Sequence, residues 1–327
     1  MTIGRRRLAR LSLGALPGLL PGLTSPRRAR AAETYSDHPI QMVNPYPAGG
    51  ATDLMARALA AGLSQRLGQP VLVLNRDGAA GAVGTLGVAR AAPDGYTLAF
   101  VPALVLSVLP VTQPNSGLRP EMLRPVCQLF SNAQAIAVRP DSPLRGLADL
   151  VAAAKAAPGA LSYGTLGIAS IPHLAMEQWT RAAGIEATHV PYRGDGAVLT
   201  DVLAGRLDFG AIVLGSASGR DDIRLLAVFD NARNLAFPDV PTAIEQGYDV
   251  APTSFGGLLA PAATPPDRLA RLEAACAEVA ADELYRAAAR RALQPADYHT
   301  GAEAFAGRLA RDVAQKAALL RAIGLAR

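Results

Sequence analysis

Two stretches of this 327-residue chain join a short apolar run to a helix-forming stretch through glycine. One is Asn44-Pro45-Tyr46-Pro47-Ala48-Gly49-Gly50-Ala51-Thr52-Asp53, and the other runs from Tyr163 to Ser170. The start of a helix presents backbone N–H groups without intrahelical acceptors, at the positive end of the helix dipole. Glycine lets the backbone come close to an anion, and Thr52, Thr165 and Ser170 can add hydroxyl donors. That chemistry suits a carboxylate, phosphate or sulfate. The same pattern also describes a plain turn followed by an N-cap, so spacing alone leaves each loop with both readings.

Other chemistries find less support. A third glycine turn, Gly78 to Gly84, has the order Gly-x-x-Gly-x-x-Gly, which differs from the dinucleotide fingerprint, and no acid ends the next strand to hold a ribose. There is no Gly-x-Ser-x-Gly elbow, no His-Glu-x-x-His and no phosphate loop with its lysine. A hydrolase or isomerase of small organic acids remains the alternative, with His173 or Asp53 as base. His38, His173, His189 and His299 form no ligand-spaced cluster, so neither metal nor cofactor is expected. An oxidising compartment would permit a bridge between Cys127 and Cys276, but two cysteines impose no framework, and they read rather as two small buried hydrophobes. Lys155 and Lys316 read as solvent-facing helix residues. Arg193 could meet a ligand acid or be solvated.

Short apolar runs alternating with Ala-rich amphipathic stretches predict an α/β protein of two domains. Strands are expected at 40–44, 71–74 and 96–101, with helices at 52–67 and up to about 92 between them. After Pro102 come Pro110, Pro114, Pro120 and Pro125, which read as the crossing into a second lobe. That lobe is expected to hold strands at 134–138, 161–163, 188–190, 208–213 and 223–229, with helices between them. A short helix at 243–246, a strand at 255–259, a helix at 266–281 and two closing helices should return to the first lobe. The boundaries are residues 35–105 plus 228–327 for lobe 1 and 106–227 for lobe 2. Two crossings between lobes make a hinge.

The formal charge of +5 belongs to the N-terminus. Residues 1–31 hold seven arginines and no acid, so subtracting seven from +5 leaves −2 for the remainder. No global basic field for nucleic acid is left. Arg5-Arg6-Arg7, a weak apolar stretch from Leu11 to Leu23, and Ala29-Arg30-Ala31 read as a twin-arginine-like signal peptide over residues 1–31. A periplasmic protein is expected.

Seven collinear motifs extend this reading. They include Tyr46 to Asp53, Leu67 to Arg76, Ala91 to Leu98, Leu161 to Gly167, Val190-Pro191-Tyr192-Arg193-Gly194, Leu203 to Asp208 and Phe237 to Thr242. In this order they resemble the Bug-type substrate-binding proteins of tripartite tricarboxylate transporters. The resemblance implies a two-lobed, periplasmic-binding-protein-like α/β fold, each lobe a doubly wound sheet with helices on both faces. It implies a monomer that closes like a flytrap on a small organic acid and delivers it to membrane transporter subunits. Carried onto this chain, it implies a site of Tyr46, Pro47, Ala48, Gly49, Gly50, Thr52 and Asp53 from one lobe, facing Thr165, Gly167, Ser170, Tyr192 and Gly194 from the other. Two departures make the cleft more apolar. Val101-Pro102-Ala103-Leu104 replaces a polar loop, and Ile212 stands where family members tend to carry an aspartate. Ala103 and Ile212 are therefore expected to line a cleft that favours an acid without an ammonium group.

Overall fold

The structure, a computed structural model, describes residues 35–326; the expected signal peptide at 1–31 lies outside the described residues. The chain opens with β1 (Ile40–Asn44), α1 (Ala51–Leu67), β2 (Val71–Asn75), α2 (Ala82–Ala89) and β3 (Thr97–Pro102). β1 lies between β2 and β3 and is parallel to both, the expected βαβαβ arrangement. α1 ends where Gly68 turns left-handed and its N–H reaches the Ser64 carbonyl at 3.1 Å. The one-turn helices α3 (Leu104–Ser107) and α4 (Leu109–Thr112) then lead into β4 (Leu123–Asn132).

β4 corrects the sequence reading, which took Pro125 as a mark of loop. Pro125 sits opposite Leu259 where the register of the ladder shifts, a position at which the missing N–H is tolerated. β4 belongs to the first sheet, although the crossing is expected from residue 106: the sheet changes at Ala133, and β5 (Gln134–Val138) opens the second sheet. α5 (Leu147–Ala156), β6 (Ser162–Thr165), α6 (Ile171–Ala183), β7 (Thr188–Pro191), α7 (Asp195–Leu203), β8 (Phe209–Val213) and β9 (Arg224–Phe229) follow. Their sheet has the order β7-β6-β8-β5-β9, with β6 parallel to β7 and β8 and with β5 antiparallel to β8 and β9.

The helix expected at 243–246 is a turn. Thr242 and Glu245 exchange capping bonds of 2.7 and 3.0 Å, and Gly247 at φ +91 ends the segment before a helix can extend. β10 (Ser254–Pro261) then returns to the first sheet, antiparallel to both β3 and β4. α8 (Pro266–Ala281), α9 (Glu283–Arg291), the two-residue β11 (Thr300–Gly301) and α10 (Ala302–Ala322) complete the chain, giving a first sheet ordered β11-β4-β10-β3-β1-β2.

The outgoing and returning chain lie together where the sheets meet. Asn132 pairs with Ser254 at the end of one sheet, and Gln134 pairs with Phe229 at the start of the other. Arg308 of α10 clasps both passages: it donates to Ser131 Oγ at 3.1 Å, to Thr253 Oγ1, and to the Tyr298 hydroxyl at 2.7 Å. Its guanidinium lies 4.0 Å from the centre of the Phe255 ring.

Each sheet has its own apolar packing. Ile136, Leu150, Trp179 and Phe209 are wholly buried around the second sheet, while Val43, Ala99, Val101 and Phe305 are wholly buried around the first. Cys127 of β4 and Cys276 of α8 form a disulfide, with Cα atoms 6.6 Å apart. Of the two readings the sequence left open, the bridge is the one formed; the reading as two separate buried hydrophobes lacked β4, the strand that carries Cys127 to α8. Lys316 also departs from expectation. It is 4% exposed, paired with Asp312 at 2.8 Å, and burial lowers its pKa.

Candidate binding site at two strand-to-helix loops

The first glycine loop runs from the end of β1 to the first turn of α1 and is held from beneath by one carboxylate. Asp53 Oδ2 accepts the Gly49 N–H at 2.9 Å and Arg57 Nε at 2.9 Å, while Oδ1 accepts Asn75 Nδ2 at 2.8 Å. Asn75 also donates to the Tyr46 carbonyl at 3.0 Å and accepts from Arg57 at 3.0 Å. Burial alone would raise the Asp53 pKa, but the donors of Arg57, Gly49 and Asn75 outweigh it and hold the group at about 2. Asp53 is thus a frame for the loop, and its carboxylate is too acidic and too fully bonded to serve as a base. Gly49, at φ +89, takes the left-handed conformation that closes the loop, whereas Gly50 is an extended N-cap at φ −78.

This frame leaves other groups free. Pro47, Ala48, Gly49 and Gly50 are exposed and Tyr46 and Thr52 are half-buried. Neither the Tyr46 hydroxyl nor the Thr52 hydroxyl has a hydrogen-bond partner among the described residues, and the first-turn N–H groups of α1 lack helical acceptors. Burial raises the Tyr46 pKa to about 12, which keeps the phenol a neutral donor near pH 7. Asn44, wholly buried at the end of β1, leaves both ends of its carboxamide unpaired among the described residues.

The second loop, between β6 and α6, uses its polar groups on itself. Ser170 Oγ donates to the Gly167 carbonyl at 2.6 Å and accepts the His173 backbone N–H at 3.4 Å. Thr165 Oγ1 meets His189 Nε2 at 2.7 Å and the Gly167 carbonyl at 3.2 Å. Ala169, left-handed at φ +59, donates its N–H to His173 Nδ1 at 3.2 Å. The two imidazoles lie 4.2 Å apart between ring centres, and burial followed by the neighbouring His173 pushes His189 down to about 4. His173 is lowered by burial as well. Both rings are neutral supports near pH 7, and no Ser–His nucleophile pair forms.

Of the remaining predicted residues, Tyr192 gives its hydroxyl to Asp201 at 2.6 Å and its N–H to the Thr165 carbonyl at 2.8 Å, so it fixes β7 to the loop. Gly194, at φ +144, caps α7. Two expected cleft residues are corrected. Ile212 is wholly buried with Val198, Leu199 and Val202, and Ala103 is 2% exposed with its N–H on the Phe255 carbonyl at 2.7 Å. Both side chains belong to the core: β8 is covered on both faces, with Phe209 and Ala211 packed on one and Ile212 on the other, and Ala103 is the buried N-cap of α3. Sequence reasoning missed Asn75 and His189 as loop anchors. For Asn75 a signal existed: it is the polar end of the apolar run Val71–Leu74, level with Asn44 on β1.

Two α/β sheets joined by a double crossing, with helix N-termini loops at the strand ends, define a solute-binding protein of the periplasmic type. The sequence profile of the tripartite tricarboxylate transporter family receptor (TctC) matches residues 55–325, and the chain belongs to that family. A TctC solute-binding protein from Polaromonas, solved without ligand, superimposes with a TM-score of 0.80 at 30% identity, covering 88% of this chain and 99% of that one. The periplasmic binding protein BugD gives 0.68 at 28% identity over 89% and 99%. An R. palustris protein solved with adipate gives 0.72 at 25% identity over 89% and 99%. Among sequences, BugT of Bordetella pertussis is 36% identical over 72% of this chain and 74% of its own length. A Cupriavidus necator protein of the UPF0065 group is 33% identical over 99% and 98%. The family is one of receptors, which places this chain among binders and not among enzymes.

Proposed function

We propose that this chain is an exported receptor that captures a small carboxylate between two lobes and presents it to the membrane subunits of a tripartite tricarboxylate-type transporter. The single observation that carries this reading is the first loop: free hydroxyls on Tyr46 and Thr52 and the unpaired N–H groups of α1, all set on a frame fixed by Asp53 and Asn75. Charge-assisted bonds from such donors contribute about 1.5–3 kcal/mol each. The adipate-bound relative supports a carboxylate as the ligand class. Lobe 1 holds the first sheet, lobe 2 holds the second, and the passages at Ala133 and between Phe229 and Ser254 act as the hinge. The receptor works as a monomer in the periplasm, reached through the signal peptide at residues 1–31. Among the described residues no helix is long and apolar enough to cross a membrane.

A thermal-shift screen of the purified mature protein against a panel of carboxylic acids tests this function. A bound acid at 100 times its Kd adds about 2.7 kcal/mol of stability. That corresponds to a rise of roughly 5–10 °C in melting temperature. A panel of mono-, di- and tricarboxylates without a single shift would remove the reading. An intact N-terminus carrying Arg5 to Arg7 on protein recovered from the cytoplasm would remove the export part alone.

A further inference from the structure

Beside the second loop lies a cavity of about 520 Å³, within the range of small-molecule sites. Leu104, Val108 and Leu109 form its wall on the side of the first sheet, and Ile168 and Ala169 face them from the loop before α6. Ala80 and Ala169, which come to this cavity from different sheets, are both left-handed without being glycine, at φ +56 and +59. Such strain persists where the surroundings impose it, and it concentrates at ligand sites.

The polar inventory of the cavity is sparse. Thr112 returns its hydroxyl to the Val108 carbonyl at 3.1 Å, and Ser170 gives its hydroxyl to Gly167. Gln113 alone keeps a side-chain amide without a partner, and no charged side chain lines the cavity among the described residues. The first loop reaches the glycine turn that Ala80 belongs to. The Tyr46 hydroxyl stands 3.4 Å from where a Cβ on Gly81 would be, so the phenol and that turn are in contact.

We infer that this cavity takes the apolar body of the ligand, so that the preferred solute is a carboxylic acid with one charged end and a hydrocarbon or aryl remainder. The inference rests on the carboxylate-capture reading above and narrows it. A second carboxylate, or an α-ammonium group, entering this cavity would lose its hydration and find no counter-charge. A hydrocarbon chain or ring would instead gain from leaving water. The basis differs from that expected from the sequence: Leu104 lines the cavity, but Ile212 and Ala103 do not, and Val108, Leu109 and Ile168 supply the apolar wall.

Calorimetry on the mature protein with phenylacetate, adipate and phenylalanine tests it. Phenylacetate should bind at least tenfold more tightly than either competitor, about 1.4 kcal/mol. Ile168 is 63% exposed, so its replacement should leave the fold intact. Ile168→Arg should weaken phenylacetate at least tenfold and strengthen adipate, and Ile168→Ala should weaken phenylacetate about threefold without changing adipate. Adipate or phenylalanine binding as tightly as phenylacetate overturns the inference while leaving carboxylate capture in place. Unchanged phenylacetate affinity in both variants overturns it too. If none of these acids nor the wider panel binds, carboxylate capture fails and the inference with it.

Discussion

The carboxylate of Asp53 lies under its own loop, accepting the Gly49 N–H at 2.9 Å while Asn75 reaches it from β2 at 2.8 Å. An acid four residues beyond Gly49 therefore braces the turn from beneath, with both carboxylate oxygens bonded within the protein. This arrangement reconciles a buried negative charge with a site meant for another one. Asp53 is neutralised locally by Arg57, and the loop's outward donors stay free.

Asp53→Ala should remove three acceptor contacts and leave one of the two N–H groups of the Asn75 amide without its partner. A loss of about 2 kcal/mol in unfolding free energy is expected, with at least a tenfold loss in affinity for a bound acid. Because the folded pKa is depressed to about 2 from 3.8, this group's contribution is complete above about pH 4 and disappears as pH falls toward 2. Urea titrations of both proteins between pH 5 and 2 check the window. A variant as stable as the parent at pH 5 would show that the frame carries no load.

Gly49 and Gly50 should behave differently although they are neighbours. Gly49→Val forces a β-branched residue to φ +89, whereas a Cβ on Gly50 at φ −78 would meet only the Pro47 carbonyl, at 3.9 Å. Gly49→Val is expected to cost at least about 1–2 kcal/mol and to distort the loop. Gly50→Ala should cost no more than about 1 kcal/mol, the loss of a good N-cap. Thermal melts of the two variants decide it, and equal losses would contradict the conformational assignment.

The paired imidazoles beneath the second loop predict a pH dependence of the same sign as that of Asp53, in a window at higher pH. His189 falls to about 4 in the folded protein from 6.5, through burial and then through His173. A depressed histidine leaves stability undiminished above pH 6.5, and stability declines as pH falls from 6.5 toward 4. Protonating His173 at Nδ1 would also take away the acceptor of the Ala169 N–H, although Glu177 at 3.7 Å from Nε2 offsets part of the added charge. The melting temperature should be level from pH 8 to 7 and then drop, with a shallower drop in His189→Gln. A melting temperature that rises as pH falls through 6 would contradict the buried, neutral pair.

The Cys127–Cys276 bridge closes a span of 149 residues, for which the chain-entropy argument gives about 5 kcal/mol. Cys127→Ala with Cys276→Ala should lower the melting temperature by roughly 10 °C. Thiol titration of the denatured, unreduced protein should find no free thiol, and two free thiols would contradict the bridge.

Much of this was legible in the sequence, and the failures share a cause. β1 to β3 and the second-sheet strands followed from apolar runs bounded by glycine and proline, because each such run sits within one local unit. β4 did not, because Pro125 is tolerated only through a register shift against Leu259, a partner more than a hundred residues away. The early placing of the change of sheet and the undecided cysteine pair both descend from that strand. At the site, the loops themselves were readable from glycine and hydroxyl spacing. What those hydroxyls bond to was not: Thr165 and Ser170 turn inward because His189 and the Gly167 carbonyl are there to receive them, while Thr52 and Tyr46 do not.

The most direct test of the central claim is calorimetry of an acid against its uncharged counterpart, using the mature protein. Whichever of phenylacetate and adipate binds more tightly is compared with its own amide, and the ligand is recovered after prolonged incubation for chemical analysis. A carboxylate held by the free hydroxyls and N–H groups of the first loop should bind at least a hundredfold more tightly than the amide, about 2.7 kcal/mol, and should be recovered unchanged. An amide that binds as tightly as the acid, or an acid that is consumed, would contradict capture of a carboxylate by a receptor.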